Sequence, residues 1–187
     1  MRSAAAREIQ RPTILGMESR PSVQLIGDEL IHRVVAQAQQ SARRRKNYNF
    51  HSGNEENPQR FLNVFLHGSY VRPHRHLTPP KSESFLVLEG HMAAFVFDDR
   101  GAVLSGHILG EGVFPGPAPS RITDRTVARG IELNPGLWHC VTALSPVAVC
   151  YEVKPGPWDP ASDKEFAEWA PEEGSAGAAL YLADLLA

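Results

Sequence analysis

The sequence predicts a mainly β protein, a sandwich or closed barrel. Seven segments of seven to nine residues, rich in Val, Ile, Phe and Leu, are separated by turn chemistry from Pro58 onward: RFLNVFLH, SESFLVLEG, HMAAFVFDD, AVLSGHIL, VARGIEL, WHCVTAL and VAVCYEV. A chain of 187 residues, 42% hydrophobic and 21% charged, can bury one good core but hardly two.

Residues 1–20 mix Ala, Arg, Ser and Pro without a period and read as a disordered extension, in which Met17 is an alternative start. Over residues 21–52 an N-terminal helix precedes a polar segment. In DELIHRVVAQAQQ the residues Leu30, Ile31, Val34, Val35 and Ala38 recur at helical spacing, with Asp28 placed to cap. SARRRK then sets cations at the helix C-terminus, and NYNFHSGNEENP breaks the period. The barrel is assigned to 58–158. Asp99, Arg100 and Gly101 read as a hairpin turn between HMAAFVFDD and AVLSGHIL. GEGVFPGPAPSRITDRT carries too much Pro and Gly for a strand throughout and reads as an exposed excursion. Residues 159–187 form a C-terminal wrap ending in a short helix over SAGAALYLADLLA; Trp158, Phe166 and Trp169 need burial.

Charge and composition bound the partners. A net charge of −2 and a pI of about 6.4 give no basic field for nucleic acid or an anionic membrane. No apolar run approaches the roughly 20 residues of a spanning helix, and the N-terminal region lacks an apolar signal core. A soluble, cytoplasmic protein is expected. Cys140 and Cys150, with no CxxC spacing, read as small buried hydrophobes.

The chemistry concentrates in YVRPHRHLTPPKSESFLVLEG. In a strand, His74 and His76 project from one face and can point both imidazoles into one cavity. After six intervening residues Glu83 opens the next strand, and after six more comes Gly90. In NPGLWH a Pro135–Gly136 turn aims His139 at the start of another strand. Three neutral imidazoles and a carboxylate suit one divalent ion, Fe, Mn, Ni, Co or Zn, with open positions if the ion is octahedral. His32, His67, His91 and His107 read as surface or satisfied histidines, and Tyr70, Phe85, Phe95 and Phe97 as core. Arg72 and Arg75 read as salt-bridging or rim residues, and Glu152 and Lys154 as an exposed strand pair. Arg45, Asn49 and His51, in a polar cluster after the helix, read as substrate-binding residues if that segment folds over the barrel mouth.

HRH with Glu83 and Gly90 resembles the first cupin motif, and NPGLWH the second, with Asn134 and Ala143 departing from the usual residues. A closer resemblance covers most of 43–175: RKNYNFH, QRFLN, YVRPHRH, KSESFLVLEG, FDDRG, GLWH, EVKPGPWDP and DKEFAEWAPEEG are similar to the WbuC family of cupin-fold metalloproteins, some of which are encoded near surface-polysaccharide genes. The resemblance implies a single cupin barrel (a double-stranded β-helix, or jelly roll) with metal ligands at His74, His76, Glu83 and His139. Two function classes remain. One is a metal-dependent enzyme, an isomerase or oxygenase, acting on a small anionic or sugar-derived molecule; the other is a noncatalytic module that binds or senses such a ligand. A homodimer is expected, because an amphipathic helix and open sheet edges need covering.

Overall fold

The structure, a computed structural model, describes residues 21–187. The extension predicted over 1–20, with its alternative start at Met17, lies outside the described residues.

Helix α1 (Asp28–Gln39) buries Leu30, Ile31, Val34 and Ala38, the stripe its periodicity predicts. Gly27, not Asp28, occupies the N-cap, and no side chain caps the helix. Asp28 and Glu29 fall in the first turn instead, where carboxylates complement the positive end of the helix dipole. The helix also ends before the arginine run, so no cation lies in its last turn.

The segment after α1 is a strand, not a loop. Arg44, at φ 55°, turns the chain into strand β1 (Arg45–Asn49), which pairs antiparallel with β2 (Gln59–Leu66) in the register Arg45 to Phe65 and Asn49 to Phe61. The sheet therefore begins before Pro58, inside the segment read as a polar break.

The remaining strands are β3 (His74–Arg75), β4 (Glu83–Glu89), β5 (His91–Phe97), β6 (Val103–Gly110), β7 (Asp124–Ala128), β8 (Gly130–Leu133), β9 (Trp138–Ala143), β10 (Val147–Lys154) and β11 (Glu165–Phe166), and helix α2 (Ala176–Leu185) ends the chain. They form two sheets, ordered β1-β2-β10-β4-β8 and β11-β3-β9-β5-β6-β7. The arrangement is a jelly-roll barrel, with Phe65, Phe85, Val87, Met92, Leu109 and Val141 among the residues of the core between the sheets. Helix α1 covers the outer face of the first sheet through Leu62, Val64 and Val149. The C-terminal segment and α2 cover the second, placing Ala167, Ala170 and Leu185 against Phe95, Phe97, Ile108 and Trp138.

Two crossings between the sheets explain sequence features. Gly90, at φ +72°, carries the chain from β4 to β5; a Cβ there would meet the Val147 carbonyl oxygen at 2.2 Å. VARGIEL, expected as one strand, divides at Arg129: β7 runs parallel to β6 in the second sheet, and β8 pairs with β4 in the first. The predicted hairpin through Asp99, Arg100 and Gly101 joins β5 to β6, with Gly101 at φ +86°. In the excursion after β6, Val113 is exposed but Ile122 is buried. Both cysteines are free and buried, and burial pushes both thiols up.

Candidate metal centre

Four side chains converge at one end of the barrel interior. His74 sits on β3 beside His139 of β9, its direct cross-strand partner. His76 lies one residue past β3, and Glu83 opens β4. The turn before β9 has Gly136 at φ +82°, and its N–H donates to the His76 carbonyl at 3.0 Å, which ties the two histidine segments together. One ligand atom from each of the four residues lies within 4.8 Å of the others, and all four residues are buried.

Hydrogen bonds orient the rings. The Nδ1 atoms of His74 and His139 lie 3.0 Å from the Arg72 carbonyl and 2.9 Å from the Leu137 carbonyl, and that of His76 contacts the Asp163 carbonyl. A carbonyl oxygen only accepts, so this network assigns the proton to each Nδ1 and leaves a lone pair on each Nε2. The Nε2 atoms of His76 and His139 then face the two Glu83 oxygens at 3.0 Å each, acceptor against acceptor. Such a contact is favourable when a cation lies among the donors. The Nε2 atoms of His74 and His76 are also buried without a hydrogen-bond partner, an arrangement that costs about 1–3 kcal/mol per group unless a ligand takes the lone pair. Bonds of about 2.1 Å to one ion put neighbouring octahedral donors about 3 Å apart, which matches the two contacts between imidazole nitrogens and Glu83 oxygens. The residues fit a divalent ion.

Electrostatics agree with that fit. Burial, then the charge of Lys164, push His74 well below its ordinary value, so its imidazole is neutral. Against its burial, which alone would raise it, the Glu83 carboxyl is held well below the usual carboxylate range, with the Lys154 ammonium 3.6 Å away. The site therefore offers a neutral His74 imidazole and one anion.

Around the cluster lies a buried ionic network. Lys154, read from the sequence as half of an exposed pair, is only 5% exposed. Its Nζ lies 2.8 Å from Asp163 Oδ2 and 3.6 Å from Glu83 Oε1. Lys81 reaches the other Asp163 oxygen at 2.9 Å. Glu152, its partner in that reading, accepts from Asn63 at 2.5 Å, and burial, then the Glu83 charge, raise it to about 7. Arg75 pairs with Glu165 at 2.8 Å and lies over the Trp138 ring, while Arg72 donates to the Ala167 carbonyl; both are tied up in structural contacts.

A cavity of about 370 Å³ opens on the cluster, lined by His74, Glu83 and His139 together with Arg45, Asn49 and His51. The three polar residues come from the barrel wall, on and just after β1, not from a flap over its mouth. Pairing with β2 fixes them there. Arg45 is engaged by Glu173 at 2.6 Å and by the Tyr70 carbonyl at 2.8 Å. Asn49 accepts from Asn47 at 2.5 Å, and His51 is bonded to the Arg60 backbone and packed edge-on against Phe61. The same cavity is lined by Asn63, Lys154, Trp158, Asp163 and Lys164, none of which the sequence reading assigned to the site. Asn63 had a signal: in QRFLNVFL it shares its face with Gln59, Phe61 and Phe65, a polar residue among inward-facing positions. Lys164 had none.

Barrel and cluster together define a cupin-fold protein. The model of a family described as "Domain of unknown function (DUF6016)" matches residues 26–109. Among solved structures, the chain is similar to the capsular polysaccharide assembling protein CapF from Staphylococcus aureus, at 18% identity over 61% of this chain and 27% of that one, with a TM-score of 0.44. It is also similar to the cupin domain of Cnp3 from Schizosaccharomyces pombe (10% identity, 60% of this chain, 61% of that one, TM-score 0.42) and to oxalate decarboxylase from Bacillus subtilis (18%, 60%, 24%, 0.42). The chain thus spans about a quarter of the length of CapF and of oxalate decarboxylase. The comparison with curated proteins finds no match. Among the described residues, no helix is long and apolar enough to cross a membrane.

Proposed function

We propose that the protein holds one divalent metal ion on His74, His76, Glu83 and His139 and acts, as a metal-dependent enzyme, on a small anionic or sugar-derived molecule bound in the adjoining cavity. The observation that carries this reading is the shared orientation of the three imidazoles, each with Nδ1 on a backbone carbonyl and Nε2 turned toward the others and Glu83. Four protein donors leave positions for ligand oxygens on an ion that takes six, and an ion so held polarises such an oxygen. The cavity walls would do the rest. Asn49 and His51 present hydrogen-bonding groups, and the buried surroundings strengthen each polar contact. Placement in the WbuC family, with a role in surface-polysaccharide metabolism, is the finer form of this reading. The matched segments support it: RKNYN builds the wall strand, and DKEF supplies Asp163 and Lys164.

The test is elemental analysis of purified protein, then a thermal-shift screen of sugar acids, sugar phosphates and small carboxylates on metal-loaded and chelator-treated samples. The reading expects about one divalent ion per chain, and stabilisation by an anion in the loaded sample only. His76→Ala should abolish occupancy, whereas His51→Ala should weaken the anion and spare the metal. Metal-free protein from metal-replete buffer, or full occupancy in His76→Ala, would overturn it.

A further inference from the structure

Lys164 comes directly after Asp163 in the C-terminal wrap and lines the metal cavity beside His74, Glu83 and His139. It also lines a second cavity of about 410 Å³, bounded by Arg72, Trp158 and Phe166, and so stands where the two spaces meet. The buried and half-buried cations near it are paired: Lys81 and Lys154 converge on Asp163, Arg45 on Glu173, and Arg75 on Glu165, while Arg43 and Lys46, which also line the metal cavity, are exposed to solvent. Among the described residues, Lys164 has no carboxylate within ion-pairing distance and no hydrogen bond, although it is only partly exposed. Burial, the largest influence on its ammonium, lowers it below the ordinary lysine range. An ammonium that has lost part of its hydration and gained no partner is a favourable place for an anion.

We infer that Lys164 is a ligand-binding residue that receives a second anionic group of a two-headed ligand whose first anionic group is held at the metal centre. The inference rests on the metal reading above and adds the charge of the ligand to it. Beside the metal centre with its Glu83 carboxylate, the Lys164 ammonium adds a second cationic position in the same cavity. A ligand with two separated anionic groups fits both: a dicarboxylate, or a carboxylate joined to a phosphate.

Cobalt-loaded protein tests this, because the visible absorption of bound Co(II) changes when an exogenous oxygen ligand arrives. Acetate, the series malonate, succinate and glutarate, and phosphoglycolate are titrated against wild type, Lys164→Met, Lys164→Gln and Lys164→Arg. At least one dianion should bind wild type about tenfold or more tightly than acetate does, as a charge-assisted contact to a largely desolvated ammonium allows. That advantage should vanish in Lys164→Met and Lys164→Gln, persist in part in Lys164→Arg, and leave acetate affinity within about twofold of wild type in all of them. Preference for phosphoglycolate assigns the second group as phosphate, and preference for a dicarboxylate assigns it as carboxylate. A normal Co(II) spectrum with no dianion advantage, or an advantage that survives in both neutral variants, overturns the inference and leaves the metal reading intact. Failure of wild type to bind Co(II) overturns the metal reading and this inference with it. Intact Co(II) spectra in the variants show that the barrel has folded.

Discussion

Replacing Asp163 by Ala should be among the most damaging single changes in the molecule, although the residue lies in an irregular segment outside both sheets. Its carboxylate is 3% exposed and ties down two ammonium groups that are themselves buried, Lys81 at 2.9 Å and Lys154 at 2.8 Å. Removing one member of a buried ion pair costs about 3–5 kcal/mol, because the other charge is left without water or partner. Two lysines would be stranded here, but not equally: Lys81 keeps the Pro157 carbonyl at 2.5 Å, and Lys154 keeps Glu83 at 3.6 Å. The two losses therefore do not add, and a total of about 3–5 kcal/mol is expected. Asp163→Asn, which keeps the shape and loses the charge, should recover little of it. The assay is urea denaturation monitored by tryptophan fluorescence, where the loss appears as a lower midpoint at unchanged slope. A loss under about 1 kcal/mol, the range of exposed pairs, would refute the reasoning: the C-terminal wrap would then not be docked on the barrel as described.

Packing and architecture set further outcomes. Leu62→Ala removes a side chain that is 0% exposed beneath α1 and should cost about 2–5 kcal/mol, while Leu25→Ala, at 81% exposure, should stay within about 0.5 kcal/mol; equal effects in urea titrations would contradict the placement of α1. Gly90→Ala joins a positive φ to a Cβ position 2.2 Å from a backbone oxygen, so the chain must shift at a sheet crossing, and thermal denaturation should show a loss of at least about 2 kcal/mol. An unchanged midpoint would mean that β4 and β5 are not joined this way. The chain is expected to be a homodimer, and light scattering at micromolar concentration should give twice the 20.6 kDa chain mass; a monomer mass refutes that expectation.

The strands that carry an apolar alternation could be read from the sequence because each has one dry face. His74 and His76 could be paired for a related reason: two residues apart on an extended chain means one face, whatever the fold. Strand β1 escaped because its inward residues, Arg45, Asn47 and Asn49, line a cavity instead of a core, and only Tyr48 packs beneath the helix. The division of VARGIEL at Arg129 has no local signal; it depends on which sheet has an edge to offer on each side. Buried Lys154 looks in sequence like any lysine at the end of a strand, since its burial depends on Asp163, which a different part of the fold brings to it. His74, His76 and Glu83 were legible because their spacing is local, and His139 because a Pro135–Gly136 turn precedes it; the groups around them carry no such local pattern.

The claim on which the rest depends is one divalent ion held by four protein side chains, and anomalous diffraction at the metal absorption edge from crystals of metal-loaded protein tests it most directly. The account predicts a single strong peak about 2.0–2.3 Å from Nε2 of His74, His76 and His139 and from a Glu83 carboxylate oxygen. A map without a peak there, or with its strongest peak on other residues, would contradict it.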